Sequence, residues 1–177
     1  MRHWSASTNL IGRLSDEDLA RHALESLLGV KLIGARDRVV DIGAGGGFPG
    51  IPLAIAGFNV TLLEPRERRA AFLRHALRLL PGLNARVLVD RVERLSPSRF
   101  DAATVRAVGS LGRLVGKGEF LEPEGKLLIW TTKAAEQETE FRHGFRLDRT
   151  LPVPGSDHRV IAFFRKCSTG NTGATVG

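Results

Sequence analysis

The sequence predicts a single α/β domain built on a mostly parallel, doubly wound sheet. Short apolar runs alternate with segments of helical periodicity, and they occupy residues 38–42, 60–63, 85–89, 101–105 and 125–131. Such alternation with short connections is typical of a parallel sheet covered by helices on both faces. Two further strand-like runs, residues 145–151 and 159–164, follow each other without a helix. They predict an antiparallel hairpin at the C-terminal edge of the sheet.

The helices are predicted from apolar residues spaced three and four apart. The first is expected to begin at Ser15, an N-cap residue followed by three acidic side chains, and to end near Gly29. Arg21, His22 and Glu25 are expected to face away from the protein. The apolar side chains that predict its buried face are Leu19, Ala23, Leu24, Leu27 and Leu28. Further helices are predicted at residues 49–56, 66–80 and 111–115.

The length of 177 residues suits one domain. We expect a domain over residues 1–167, with an N-terminal helical segment (1–30) and a core (36–167). The small, polar residues 168–177 are expected to form a disordered tail. No apolar run is long enough to span a membrane, and the single cysteine, Cys167, fits a reducing cytoplasm. One cysteine and scattered histidines predict no metal site.

The chain carries a formal net charge of +7, and most of its 26 basic residues are arginine. Arginine presents a planar fork of donors that matches phosphate, so this charge favours an anionic partner, most commonly nucleic acid. Arginine-rich, lysine-poor usage is also what genomic base composition alone can produce. The charge by itself leaves both interpretations open.

A glycine-rich loop, residues 41–50 (DIGAGGGFPG), follows the first predicted core strand. In open α/β sheets, ligands bind outside the carboxyl ends of the strands. Gly45, Gly47 and Gly50 fit the dinucleotide pattern G-x-G-x-x-G, whereas Gly43, Gly45 and Gly47 fit D-x-G-x-G-x-G, a pattern common in methyltransferases. Asp41 would repel a pyrophosphate but attract the ammonium and sulfonium groups of S-adenosylmethionine. Charge therefore favours S-adenosylmethionine as the cofactor.

Glu64 ends the next strand, where its carboxylate would accept hydrogen bonds from both hydroxyls of a ribose. The alternative is a surface carboxylate that pairs with Arg66 or Arg68. After the third strand, Asp90 and the segment 91–93 place polar groups where an adenine edge would lie, although these could be ordinary solvated charges.

Several segments together resemble one known family. Residues 41–53 (DIGAGGGFPGIPL) match its D-x-G-x-G-x-G-[FL]-P-G-I-P-L signature, in which F-P-G-I-P-L is far more specific than the glycines. Residues 21–26 (RHALES), 62–65 (LLEP), 91–93 (RVE) and 105–107 (VRA) match further blocks in order. The chain resembles the bacterial small-subunit ribosomal RNA guanine-N7 methyltransferases, the RsmG/GidB family.

This resemblance implies a Rossmann-like class I methyltransferase fold, S-adenosylmethionine as cofactor, and small-subunit (16S) rRNA or a ribosomal assembly intermediate as partner. We expect a cytoplasmic monomer without a metal. The cofactor contacts carried over by position are Gly43, Phe48, Val92, Glu93 and Arg106, beside Asp41, Gly45, Gly47 and Glu64 from the loop and strand pattern. The chain departs from the family in its shorter N-terminal region and in having Ala134 after Lys133.

Guanine N7 carries an exposed lone pair, so its methylation requires alignment rather than a catalytic base. In agreement, the sequence contains no Ser/His/Asp set and no paired catalytic carboxylates. Arg106 is the one catalytic candidate, as a group that binds phosphate or guanine or orients the cofactor. The alternative is a structural arginine paired with Asp41 or Glu64. Candidate RNA contacts are Arg21, His22, Arg113 and Lys133, and a basic helix face is formed by Arg66, Arg68, Arg69, Arg74 and Arg78.

Two other functions remain open from the residues alone. One is a methyltransferase for a small molecule or a protein. The other is a dinucleotide-binding oxidoreductase or a non-catalytic nucleotide-binding module.

Overall fold

In the computed structural model of the chain, residues 15–97, 99–106, 118–133 and 144–167 are described. Within these ranges, the strands form one seven-stranded sheet in the order β3-β2-β1-β4-β5-β7-β6. Their bounds are β1 Arg38–Ile42, β2 Asn59–Leu63, β3 Ala85–Leu88, β4 Phe100–Arg106, β5 Leu121–Thr132, β6 Phe145–Pro152 and β7 Arg159–Lys166. Strands β1 to β5 pair in parallel, and β7 pairs antiparallel with both β5 and β6. The predicted parallel sheet and its antiparallel hairpin are confirmed.

The described part of the chain contains three α-helices: α1 Asp16–Leu27 before the first strand, and α2 Gly50–Ile55 and α3 Glu67–Arg78 between strands. Short 3₁₀ helices follow α1 (Leu28–Leu32) and β3 (Val92–Arg94). The predicted helix at 111–115, Arg113 and the tail at 168–177 lie outside the described residues. No helix in the described ranges is long and apolar enough to cross a membrane.

The sheet is buried on both faces. Successive residues of each strand point to opposite sides, so they belong to two different cores. Val39 and Leu62 face a core with Phe72 and Leu73, the latter two from α3. Their neighbours in the strands face a second core, which contains Val40, Ile42, Leu63, Val105 and Ile129. Burial on both sides explains why these strands read as nearly continuous apolar runs.

Helix α1 begins as predicted, but the prediction of its buried face is wrong for Leu24, Leu27 and Glu25. The Ser15 side chain accepts a hydrogen bond from the Asp18 N–H, and the Asp18 side chain accepts one from the Ser15 N–H, which completes a capping box. Leu24 and Leu27 are 67% and 39% exposed, whereas Glu25 is only 5% exposed. The polar face points inward because two arginines neutralise Glu25, so burying its charge does not leave it unpaired.

The end of α1 is held by the ring of Trp130 in β5. The indole N–H donates to the backbone carbonyl of Glu25 at 3.0 Å. The chain passes so close to the ring at Gly29 that a Cβ there would lie 2.8 and 2.9 Å from two carbons of the six-membered ring. A glycine is therefore required at this crossing, and Trp130 fixes where the helix lies on the sheet.

We predict that Gly29→Ala destabilises the protein by about 1–3 kcal/mol, the usual cost of overpacking a core. Phenylalanine lacks the two ring carbons of Trp130 that the new Cβ would meet. Gly29→Ala should therefore cost less stability in a Trp130→Phe background than in the wild-type protein. The measurement is a double-mutant cycle from urea unfolding of the four proteins. Strictly additive effects of the two substitutions would contradict the crossing described above.

Candidate active site

The glycine loop lies where the sheet order reverses, between β1 and α2 at the carboxyl edge of the strands. Gly43, Gly45 and Gly47 adopt φ values of 70°, 49° and 90°, which favour glycine over residues with a Cβ. The N–H groups of Gly43 and Ala44 donate to the Leu63 carbonyl at 2.9 and 3.0 Å. These bonds tie the loop to the end of β2, so the ends of two neighbouring strands meet in one crevice.

The glycines of the loop have different tasks. A Cβ at Gly47 would lie 2.9 Å from Cγ1 of Ile51, and one at Gly50 would lie 2.6 Å from Oδ2 of Asp41. At Gly45 the nearest heavy atom would be 3.5 Å away, which is ordinary contact. Gly47 and Gly50 therefore permit the packing of α2 against β1 and β2, while Gly45 is favoured by its positive φ rather than by close packing.

Asp41 is 1% exposed, and both of its oxygens are hydrogen-bonded within the protein. Oδ2 accepts from the Gly50 N–H at 2.9 Å, and Oδ1 accepts from the Thr104 hydroxyl at 2.9 Å. Burial raises the pKa of Asp41 to about 7, and the negative charge of Glu64 adds to this shift, while the two hydrogen bonds and Arg106 oppose it. The carboxylate holds the start of α2 and the end of β4 together, and no described cation forms an ion pair with it.

Glu64 is 2% exposed at the end of β2. Its oxygens accept from the backbone N–H groups of Gly45 at 3.1 Å and Arg66 at 3.0 Å. The alternative of an exposed carboxylate paired with an arginine side chain is therefore wrong. Because each carboxylate oxygen has a second lone pair, Glu64 can still accept bonds from a diol. Two buried carboxylates without an ion pair among the described residues make the crevice suited to a cationic nucleoside such as S-adenosylmethionine.

Arg106, at the end of β4, is bound to α1 rather than to either of these carboxylates. Its Nη2 donates to Glu25 at 2.9 Å and to Nδ1 of His22, and its Nη1 donates to the His22 carbonyl at 3.4 Å. The other Glu25 oxygen accepts from Arg159 at the start of β7. The alternative of a pair with Asp41 or Glu64 is wrong, because Glu25 is the carboxylate that Arg106 contacts. Glu25 thus joins α1 to two strands.

His22 faces the glycine loop, contrary to the prediction that it points away. Its ring centroid lies 6.0 Å from that of Phe48, with a 53° angle between the rings. Burial lowers the pKa of His22 and the charge of Arg106 lowers it further, while the nearby Glu25 carboxylate opposes the shift, whose net direction is downward. Since arginine can only donate, Nδ1 accepts, and the proton of the neutral ring is on Nε2. His22 therefore offers one N–H donor beside the crevice.

The structure does not gather the remaining candidates into one cluster. Val92 is buried and Glu93 is exposed, both in the 3₁₀ turn after β3. Arg21 is exposed and paired with Asp18. Lys133 is exposed just after β5, and its N–H donates to the His158 carbonyl. In the described ranges, no group of three or more histidine, cysteine or acidic side chains could hold a metal ion.

Glu25 is the residue of this site that the helical pattern missed. Apolar leucines dominate the pattern, so the sequence places the wrong face inward. The available signal was the spacing of His22 and Glu25, since residues three apart share one side of a helix.

Comparison with known proteins agrees with this geometry. A family model described as rRNA small subunit methyltransferase G (GidB) matches residues 1–147. Ribosomal RNA small subunit methyltransferase G of Stenotrophomonas maltophilia (strain K279a) is 37% identical over 163 residues, which cover 88% of this chain and 76% of that protein. The enzyme of the same name from Gluconobacter oxydans (strain 621H) is 43% identical over 141 residues, covering 76% and 71%.

The glycopeptide N-methyltransferase MtfA, solved with S-adenosylhomocysteine, superposes with a TM-score of 0.66. It is 15% identical, and the match covers 82% of this chain and 89% of that one. At this identity the likeness shows the fold alone, which is the Rossmann-like fold of class I methyltransferases.

We predict that Gly50→Ala abolishes cofactor binding, because its Cβ would displace Leu62 and the Asp41 carboxylate. Gly57→Ala is the matched control: a Cβ there meets nothing within 4 Å, although φ is +97°. The control should cost about 1–2 kcal/mol from backbone strain and leave ligand affinity intact. Titration calorimetry with S-adenosylmethionine measures both. Normal binding by the Gly50 variant would contradict the packing role of this glycine.

Proposed function

We propose that this chain, which belongs to the GidB family of small-subunit rRNA methyltransferases, methylates N7 of a guanine in 16S rRNA with S-adenosylmethionine as methyl donor. Family membership supports the rRNA substrate, and the pair of buried carboxylates around the glycine loop supports the cofactor. A cytoplasmic monomer acting on the rRNA, or on a subunit being assembled, is the simplest form of this proposal.

The cofactor supplies an electrophilic methyl group on a positively charged sulfur. We propose that Glu64 binds the ribose hydroxyls, while Gly43 and Gly45 allow close approach of the backbone. Asp41 contributes its charge rather than a direct contact, because both of its oxygens are already hydrogen-bonded. The other proposed cofactor contacts are Gly47, Phe48, Val92, Glu93 and Arg106.

The reaction needs no base, since the N7 lone pair attacks directly. The bond from N7 to the methyl carbon forms as the bond from carbon to sulfur breaks, and the electron pair of that bond stays on sulfur. The positive charge moves to the guanine, beside the buried carboxylates. What the protein must supply is in-line alignment in a site shielded from water. We propose that Phe48 forms part of that apolar wall.

His22 is the proposed contact for the guanine. The edge of guanine that carries N7 presents two acceptors, N7 and O6, and no donor. A neutral His22 with its proton on Nε2 can donate to O6 without protonating N7. Arg106 then acts as a positioning residue, because its bonds to His22 and Glu25 set the place of the imidazole ring. Arg21, Arg113 and Lys133 are proposed contacts to RNA phosphates.

The direct test uses 30S subunits from bacteria that lack guanine-N7 methylation in 16S rRNA. We predict transfer of radiolabelled methyl groups from S-adenosylmethionine to the 16S rRNA, and chain cleavage at the methylated guanine after borohydride and aniline treatment. Glu25→Gln should lower kcat by about tenfold or more, since a small displacement of positioning groups is costly, while the cofactor Kd changes little.

Glu17→Gln, on the exposed side of the first turn of α1, is the matched control and should retain full activity. Incorporation into protein alone, or binding of NADH without S-adenosylmethionine, would overturn the proposed function. Equal kcat values for the Glu25 and Glu17 variants would overturn the positioning role of Glu25.

A second prediction follows from the pKa of Asp41. Since this pKa is raised to about 7, the carboxyl is ionised above pH 7 and takes up a proton as the pH falls below it. The affinity for a cationic ligand should therefore decrease by up to about tenfold between pH 7.5 and pH 6. The nearly isosteric Asp41→Asn variant carries no charge at this position and should lack this dependence. Because titration of the ligand itself affects both proteins equally, the difference between their calorimetric pH profiles isolates Asp41, and identical profiles would exclude it.

A further inference from the structure

A second polar cavity lies at the opposite edge of the sheet from the glycine loop. It has a volume of about 280 Å³ and is lined by Arg38, Asn59, Thr61, Asn84, Ala85, Arg86, Arg99 and Phe100. These residues lie at or beside the starts of β1, β2, β3 and β4, whereas the crevice lies at the ends of the strands. A five-residue strand spans about 17 Å, so the two sites are separated by roughly that distance.

The chain between β3 and β4 is short, and its last residue, Arg99, lines the cavity. Its described residues contain only one turn of 3₁₀ helix, Val92–Arg94. Thr61 and Arg86 are directly paired in the neighbouring strands β2 and β3. The Nε–H of Arg86 donates to the Thr61 hydroxyl at 3.1 Å. Thr61 is buried, so this bond holds the guanidinium group of Arg86 against the sheet through its Nε. The bond does not involve the two Nη groups.

The charge of the cavity is positive and only partly neutralised. Arg38 donates to Asp101 at 2.8 Å and to Glu122 at 2.7 Å, so its charge is matched within the protein. Among the described residues, no carboxylate forms an ion pair with Arg86 or Arg99. The Arg99 guanidinium carbon lies 6.0 Å from the centre of the Phe100 ring.

The donors of this cavity suit one chemical class of ligand. None of its eight lining residues is acidic, and the amide groups of Asn59 and Asn84 add neutral donors. A fork of guanidinium donors beside neutral amides matches the tetrahedral oxygens of a phosphate. Arg86 and Arg99 are exposed, so the site is open to a group carried on a long chain.

We propose that this cavity binds a backbone phosphate of the RNA, at a distance from the nucleotide that enters the crevice. The inference rests on the proposed rRNA function. The Arg86 and Arg99 guanidinium groups hold the phosphate, and Thr61 positions Arg86. Such a contact reads no base, and it fixes the register and orientation of the RNA on the protein.

The test measures binding of fluorescently labelled, unmodified 16S rRNA transcript over a series of salt concentrations. Arg86→Gln and Arg99→Gln should each weaken binding by about tenfold at low salt. Each should also reduce the slope of log K against log salt, by up to about 0.7–0.9, the value for one lost phosphate contact. Arg146→Gln, which removes an exposed charge on β6, is the charge-matched control and should change both quantities less. Thr61→Val should weaken RNA binding in the same direction as Arg86→Gln.

Calorimetry with S-adenosylmethionine on the same variants separates this inference from the proposed function. Unchanged cofactor affinity with a reduced salt slope supports the phosphate site, even if the wild-type protein proves not to methylate guanine. Wild-type salt slopes for both arginine variants would overturn the site while leaving the function untouched. Tight binding of inorganic phosphate that depends on Arg86, without any effect of Arg86→Gln on RNA affinity, would assign the cavity to a free anion and overturn the RNA contact.

Discussion

The buried carboxylate of Glu25 is the contact on which the position of α1 beside the crevice depends. It receives one arginine from the end of β4 and another from the start of β7. Removing a single member of such a group would leave an uncompensated charge in a low-dielectric environment, which is strongly unfavourable. The three charges therefore stabilise one position of α1, and with it the position of His22 relative to Phe48.

The same region illustrates how a binding site for a cation can be preserved in a basic protein. Three buried carboxylates, those of Glu25, Asp41 and Glu64, lie around the carboxyl edge of the strands. Two arginines pair with Glu25, and among the described residues no cation forms an ion pair with Asp41 or Glu64. The net charge of +7 is thus no guide to the local potential. Global charge governs encounter with an anionic polymer, and the local carboxylates govern which small ligand is retained.

The sheet, its order of elements and the glycine loop could be predicted from the sequence because each rests on short-range patterns. Alternating apolar runs and a dense glycine motif are visible within ten residues. The carboxylate at the end of β2 was also predictable, since its place relative to the glycines follows from the parallel register. The inward face of α1 could not be predicted in this way. Glu25 is buried because Arg106 and Arg159 neutralise its charge. These partners lie 81 and 134 residues further along the chain, beyond the reach of a local pattern.

The position of β7 also determines when the protein can fold during synthesis. Although it is the last of the described strands in the sequence, β7 lies inside the sheet, between β5 and the edge strand β6. Arg159, its first residue, completes the neutralisation of Glu25. A nascent chain that ends before β7 has neither the strand that joins β6 to the sheet nor the second partner of Glu25. The crevice thus reaches its final form only after β7 has been made and has left the ribosome.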